Sequence, residues 1–92
     1  MNVQMISAVF EDSPVKIKEL VDGGFDLNHC SSIVMPPLHR AALYGKIKAL
    51  QTLLELGADE NLKDKDNRTP LYWARKCNHD KIVDILQKNN GM

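Results

Sequence analysis

Metal binding needs His, Cys, Asp or Glu side chains brought close together, and in a sequence it shows as close pairs such as C-x-x-C or H-x-x-x-H. His29, Cys30, Cys77 and His79 are the candidate ligands, and neither spacing occurs among them. They make no metal site on this reading. Cys30 and Cys77 sit far apart in no paired pattern, as free thiols of a reducing compartment do. General acid–base catalysis is the other chemistry to test. Asp12, Asp22 and Asp26, or Asp59, Glu60, Asp64 and Asp66, are close enough along the chain to suggest a carboxylate pair. A catalytic pair needs a buried cleft that drives its pKa values apart. These residues fall at turns and helix ends, where carboxylates cap helices and stay solvated. No Gly-rich phosphate loop and no nucleophile–base set accompanies them. The expectation is a non-enzyme with no catalytic residue, no metal and no cofactor.

The bulk composition narrows the partner. The chain has 92 residues, of which 43% are apolar and 26% charged, enough for one domain with its own core. Twelve basic and twelve acidic side chains cancel, so no global field draws in nucleic acid or anionic lipid. The first residues, Met1-Asn2-Val3-Gln4-Met5, have no basic lead, and no apolar run reaches membrane-spanning length. A cytoplasmic protein that binds neither nucleic acid nor membrane is expected.

The elements that position the side chains repeat. Pro37-Leu38-His39-Arg40-Ala41-Ala42 recurs 33 positions later as Pro70-Leu71-Tyr72-Trp73-Ala74-Arg75, and Leu53 maps to Leu86 at the same offset. Stepping back by the same 33 gives a degenerate first copy, with Ala8 under Ala41, Leu20 under Leu53, Gly24 under Gly57 and Asn28 under Asn61. Each copy reads as two short helices and an extended excursion. Ser13-Pro14 is an N-cap and a first-turn proline for a helix carrying Ile17, Leu20 and Val21, which stops at Gly23-Gly24. In the second copy Leu38, Ala41 and Ala42 form one helical stripe, and Leu50, Leu53 and Leu54 another that stops at Gly57. In the third, Asn78 and Asp80 offer caps for a helix ending near Asn90-Gly91. Asp64-Lys65-Asp66-Asn67 is turn chemistry in which Asn67 tolerates positive φ.

On these residues the chain resembles the ankyrin repeat family. Arg68-Thr69-Pro70-Leu71 with Ala74, the Pro37 to Ala42 stretch, and Gly57-Ala58-Asp59 with Asn61 carry the resemblance, which extends from about Asn2 to about Asn90. It implies an all-α solenoid of three stacked helix-turn-helix units with β-hairpin fingers. Residues 1–92 then form one domain, with repeats of about 1–30, 31–63 and 64–92. His39 holds the family's histidine position, where the ring braces helix and hairpin. Pro36 stands where the family has a capping Thr, Tyr72 replaces the histidine beside Thr69, and Val34 stands where the family wants Gly or Asn. A β-branched residue resists positive φ, so the second finger is expected to turn differently.

Columns spaced by 33 residues assign faces. Lys16, Ala49, Ile82 and Glu19, Thr52, Ile85 run from charged to apolar, whereas Val21, Leu54, Gln87 and Val9, Ala42, Arg75 run the other way. The first two columns would face the preceding repeat and the last two the following one, with polar ends marking a capped and complete array.

What remains is a binder. The resemblance implies that finger tips and the exposed side of each first helix contact a partner protein. By register the face takes Phe10 from the first copy; Ile33, Val34, Met35, Arg40, Leu43 and Tyr44 from the second; and Lys65, Asp66, Arg68, Trp73 and Lys76 from the third. Trp, Tyr and Arg dominate interface energetics, so Tyr44, Trp73, Arg40 and Arg68 are the expected hot spots. The apolar finger Ile33-Val34-Met35 either folds back on its neighbour or meets the partner. The expected function is a stand-alone adaptor or inhibitor, monomeric when free. An immunity or antitoxin-type protein that neutralises a cognate toxin is one alternative form.

Overall fold

First-turn prolines, glycines past last turns and apolar residues at three- and four-residue spacing cut this chain into short helices. The computed structural model describes residues 3–28 and 35–91. Among them the helices are α1 (Val3–Phe10), α2 (Pro14–Asp22), α3 (Pro37–Tyr44), α4 (Ile47–Glu55), α5 (Pro70–Lys76) and α6 (Asp80–Gly91). The described residues contain no strand. The all-helical expectation therefore holds, and the β-hairpin fingers are not seen.

The helix ends follow the local chemistry. Ser13 caps α2 by accepting from the Lys16 amide, with Pro14 in the first turn. Thr69 caps α5 by accepting from the Tyr72 amide. Pro36, in the same place before α3, gives no side-chain cap. Gly24 (φ 105°) and Gly57 (φ 99°) end α2 and α4 in the left-handed region. There the Phe25 and Ala58 amides donate back to the Leu20 and Leu53 carbonyls at 3.1 and 2.9 Å. The first helices end alike. Asp12 (φ 56°), Gly45 (φ 75°) and Asn78 (φ 59°) share one register, and the amides after them return to Ala8, Ala41 and Ala74.

The helices stack in two layers. In one, α3 packs between α1 and α5; in the other, α4 packs between α2 and α6. Ala8, Ala41 and Ala74 are all buried at the same register, so small side chains let the layers approach. Ile17, Leu50, Leu53 and Ile82 fill the space beside them. Lys16 and Glu19 are exposed while Ala49 and Ile82 are buried, and Arg75 is exposed while Val9 and Ala42 are buried. This pattern fits the face assignment made from the columns.

Polar ties cross between helix pairs. Asp12 accepts from the Ala49 amide at 2.7 Å, so the turn after α1 caps α4, whose own N-cap residue, Lys46, has no side-chain cap. Asn28 accepts from the Asp59 amide at 2.7 Å and donates to the Gly57 carbonyl at 3.3 Å. His79 donates through Nε2 to the Leu43 carbonyl at 3.0 Å. Its ring passes so close to Gly45 that a Cβ there would lie 2.7 Å from it. The smallest residue is needed at Gly45 for that contact as well as for the turn.

A candidate protein-binding face

Register places Ser7, Arg40 and Trp73 in one column, Phe10, Leu43 and Lys76 in a second, and Glu11, Tyr44 and Cys77 in a third. These columns run across α1, α3 and α5 or their last turns. Five of these nine residues, Phe10, Arg40, Tyr44, Trp73 and Lys76, join two clusters of rings and cations.

In the first cluster Phe10 is 62% and Tyr44 36% exposed, and their rings meet edge to face at 5.8 Å. Arg40 donates to the Tyr44 hydroxyl at 3.1 Å. Lys46, which the sequence did not mark, lies over the Phe10 ring at 4.9 Å. Leu43 is half-buried.

In the second cluster Arg68 covers the rings of Tyr72 and Trp73 at 4.7 and 5.5 Å. Those rings are edge to face at 5.2 Å, and the Lys76 ammonium lies 6.0 Å from the Tyr72 ring. Trp73 is less open than its register suggested. It is half-buried against the core, and its indole N–H donates to Asp64 at 2.8 Å.

Asp64 organises the turn below. Its carboxylate also accepts from the Asp66 and Arg68 amides at 2.9 and 3.0 Å, and its own amide donates to the Arg68 carbonyl at 2.9 Å. Asn67, inside this loop, has φ 66°, as its type allows. The solvated carboxylate expected at this position is instead buried, at 8% exposure. Burial pushes its pKa up, but the Trp73 indole and the two amides outweigh burial and hold it below the usual value. Lys65 and Asp66 lie exposed on the turn itself and join neither cluster.

His39 is fully buried, and its Nε2 donates to the Arg68 carbonyl at 2.9 Å. The family position implied a local brace; the ring instead ties the second helix pair to the turn of the third. Among the described residues its Nδ1 has no hydrogen-bond partner. Burial lowers the pKa of the ring, and the Arg68 carbonyl and the Asp64 charge only partly restore it.

Met35 is half-buried just before α3. Ile33, Val34, Cys30 and His29 lie outside the described residues, so the apolar finger is not placed. Among the described residues no group of three or more His, Cys, Asp or Glu stands where it could hold a metal. Nor is any helix there long and apolar enough to cross a membrane. The sequence missed Lys46 and Tyr72 as members of this surface, and Asp64 as the buried carboxylate beneath it. The D-x-D-x-R spacing of Asp64, Asp66 and Arg68 was the available signal for the last.

Comparison with known proteins agrees with the repeat. The family model described as ankyrin repeats (3 copies) matches residues 5–92. An ankyrin repeat protein of Acanthamoeba polyphaga mimivirus is 35% identical over 71 residues, covering 77% of this chain and 10% of its own length. The serine/threonine-protein kinase VIK of Arabidopsis thaliana is 39% identical over 56 residues, covering 61% and 13%. SH3 and multiple ankyrin repeat domains protein 2 of Homo sapiens is 43% identical over 67 residues, covering 73% and 4%. The chain thus spans only a small part of each of these relatives.

Proposed function

The chain belongs to the ankyrin repeat family, and from that premise we propose that it is a non-catalytic protein–protein interaction module, an adaptor or inhibitor acting through the face of its first helices and the adjoining fingers. Ankyrin repeats in general bind other proteins, and solenoids present their repeated surface positions to a partner. The observation that carries the reading is the exposed edge-to-face pair of Phe10 and Tyr44, bridged to Arg40 and Lys46. Exposed rings contribute little to the fold, whereas aromatic and arginine side chains supply most of the energy of protein interfaces. On this reading the turn at 64–68 is one of the β-hairpin fingers of the family, and the free protein is a cytoplasmic monomer.

The test is a pulldown with the full chain, followed by titration of the captured protein against variants. Tyr44→Ala should weaken binding by about 1–3 kcal/mol while the melting temperature stays near that of the parent. Unchanged affinity with both Tyr44→Ala and Phe10→Ala would move the site off this face.

A further inference from the structure

We infer that the partner presents an extended acidic segment, whose carboxylates meet Arg40, Lys46, Arg68 and Lys76 while its apolar residues lie between them on Phe10, Leu43 and Tyr44. This rests on the binding face proposed above and adds the chemistry of what occupies it.

The chain is neutral as a whole, but its charge is not evenly spread. Residues 3–12, 35–46 and 63–77, which hold the first helices and the turn, carry seven basic and four acidic side chains; the rest carry five and eight. Three of those four acids are already engaged. Glu11 is ion-paired with Lys16 at 2.6 Å, Asp12 receives the Ala49 amide, and Asp64 receives two amides and an indole. The cations are engaged differently. Lys46, Arg68 and Lys76 rest on aromatic rings and Arg40 on a phenol hydroxyl. None of the four forms an ion pair among the described residues. A ring or a hydroxyl orients a cation without neutralising it. Amides and the indole likewise leave Asp12 and Asp64 charged but turn their oxygens inward. The segments therefore keep a basic excess of seven to four that a carboxylate would complete.

The spacing favours an extended chain. Neighbouring helices stand about 8–10 Å apart, and an extended peptide advances about 3.3 Å per residue. Carboxylates at every third position would therefore reach successive helices. Nucleic acid fits less well, because cations already occupy faces of the Phe10, Tyr72 and Trp73 rings on which bases would stack.

The test uses fluorescein-labelled peptides about 12 residues long with Glu at every third position and Leu or Ala between, against a Gln-for-Glu isostere. Anisotropy with the full chain should show the Glu peptide binding about tenfold tighter or more. The preference should shrink as salt rises from about 50 to about 300 mM. Arg40→Gln with Lys76→Gln should abolish it; Lys76→Gln alone, at an exposed site, should reduce it even where the double variant melts early. Equal binding of both peptides, each weakened by Tyr44→Ala, would overturn the acidic assignment and leave the face standing. Binding insensitive to Tyr44→Ala and Lys76→Gln alike would remove the face as well. Binding of neither peptide, displacement of the Glu peptide by a DNA oligonucleotide of equal charge, or low-salt self-association abolished by Lys76→Gln would each overturn the proposal.

Discussion

Two buried polar side chains, Asp64 and His39, decide how the turn at 64–68 meets the helices. Asp64→Ala strands two backbone amides and the Trp73 indole, each at least partly shielded from water. It should cost about 1–3 kcal/mol. Trp73 is the sole tryptophan, so its fluorescence should shift on the same substitution before unfolding begins. Asp64→Asn, which keeps an acceptor, should lose less in denaturant titration. His39 predicts a pH dependence of definite sign. Its pKa is lowered from 6.5 in the fold by burial, so the unfolded chain binds the proton more readily. Its contribution is complete above pH 6.5 and is lost as pH falls through the lowered folded value. The lowered Asp64 pKa acts in the same direction below its ordinary 3.8. Urea midpoints should decline from pH 7 to pH 5, and His39→Gln should flatten that decline. An equal slope in the variant would assign it to other groups.

Helix caps are where the expectations held most closely, because a cap involves residues within a few positions of one another. Ser13, Pro14, Thr69, Gly24 and Gly57 do what their types prescribe. Two caps are exceptions: Asn78, expected to cap α6, instead ends α5 with φ 59°, and α4 is capped from outside its own pair. Lys46 cannot accept a hydrogen bond, and Asp12 does so from the preceding helix pair. Asp12→Ala removes that acceptor and also puts a residue ill suited to φ 56° at the end of α1. A loss of about 1–2 kcal/mol is expected, and Asp12→Asn, which keeps both the acceptor and the tolerance, should recover most of it. Circular dichroism melts of the two variants would make the comparison; equal losses would place the role of Asp12 in its charge.

As a whole molecule the protein stands by stacking, since no pair buries its own apolar face. Arg75 and Gln87 are exposed at one end of the stack, where their columns hold Val9, Ala42, Val21 and Leu54 in earlier copies. Replacing both by Leu should drive end-to-end association, read as a sedimentation coefficient that rises with concentration; a variant that stays monomeric would count against the face assignment. The 33-residue period was enough to indicate six helices in pairs, the stops of the second helix of each pair and many of the buried positions, because helix periodicity and capping are short-range and leave their mark in composition. Register also put Phe10, Arg40 and Tyr44 on one face. It could not say that Lys46 would lie on Phe10, that Trp73 would donate to Asp64, or that His39, His79 and Asp12 would each bond to the neighbouring pair. Those contacts join residues up to 37 positions apart and depend on distances of a few ångströms between packed helices. Only the tertiary structure sets those distances, and through them it brought aromatic and basic residues of different columns into contact.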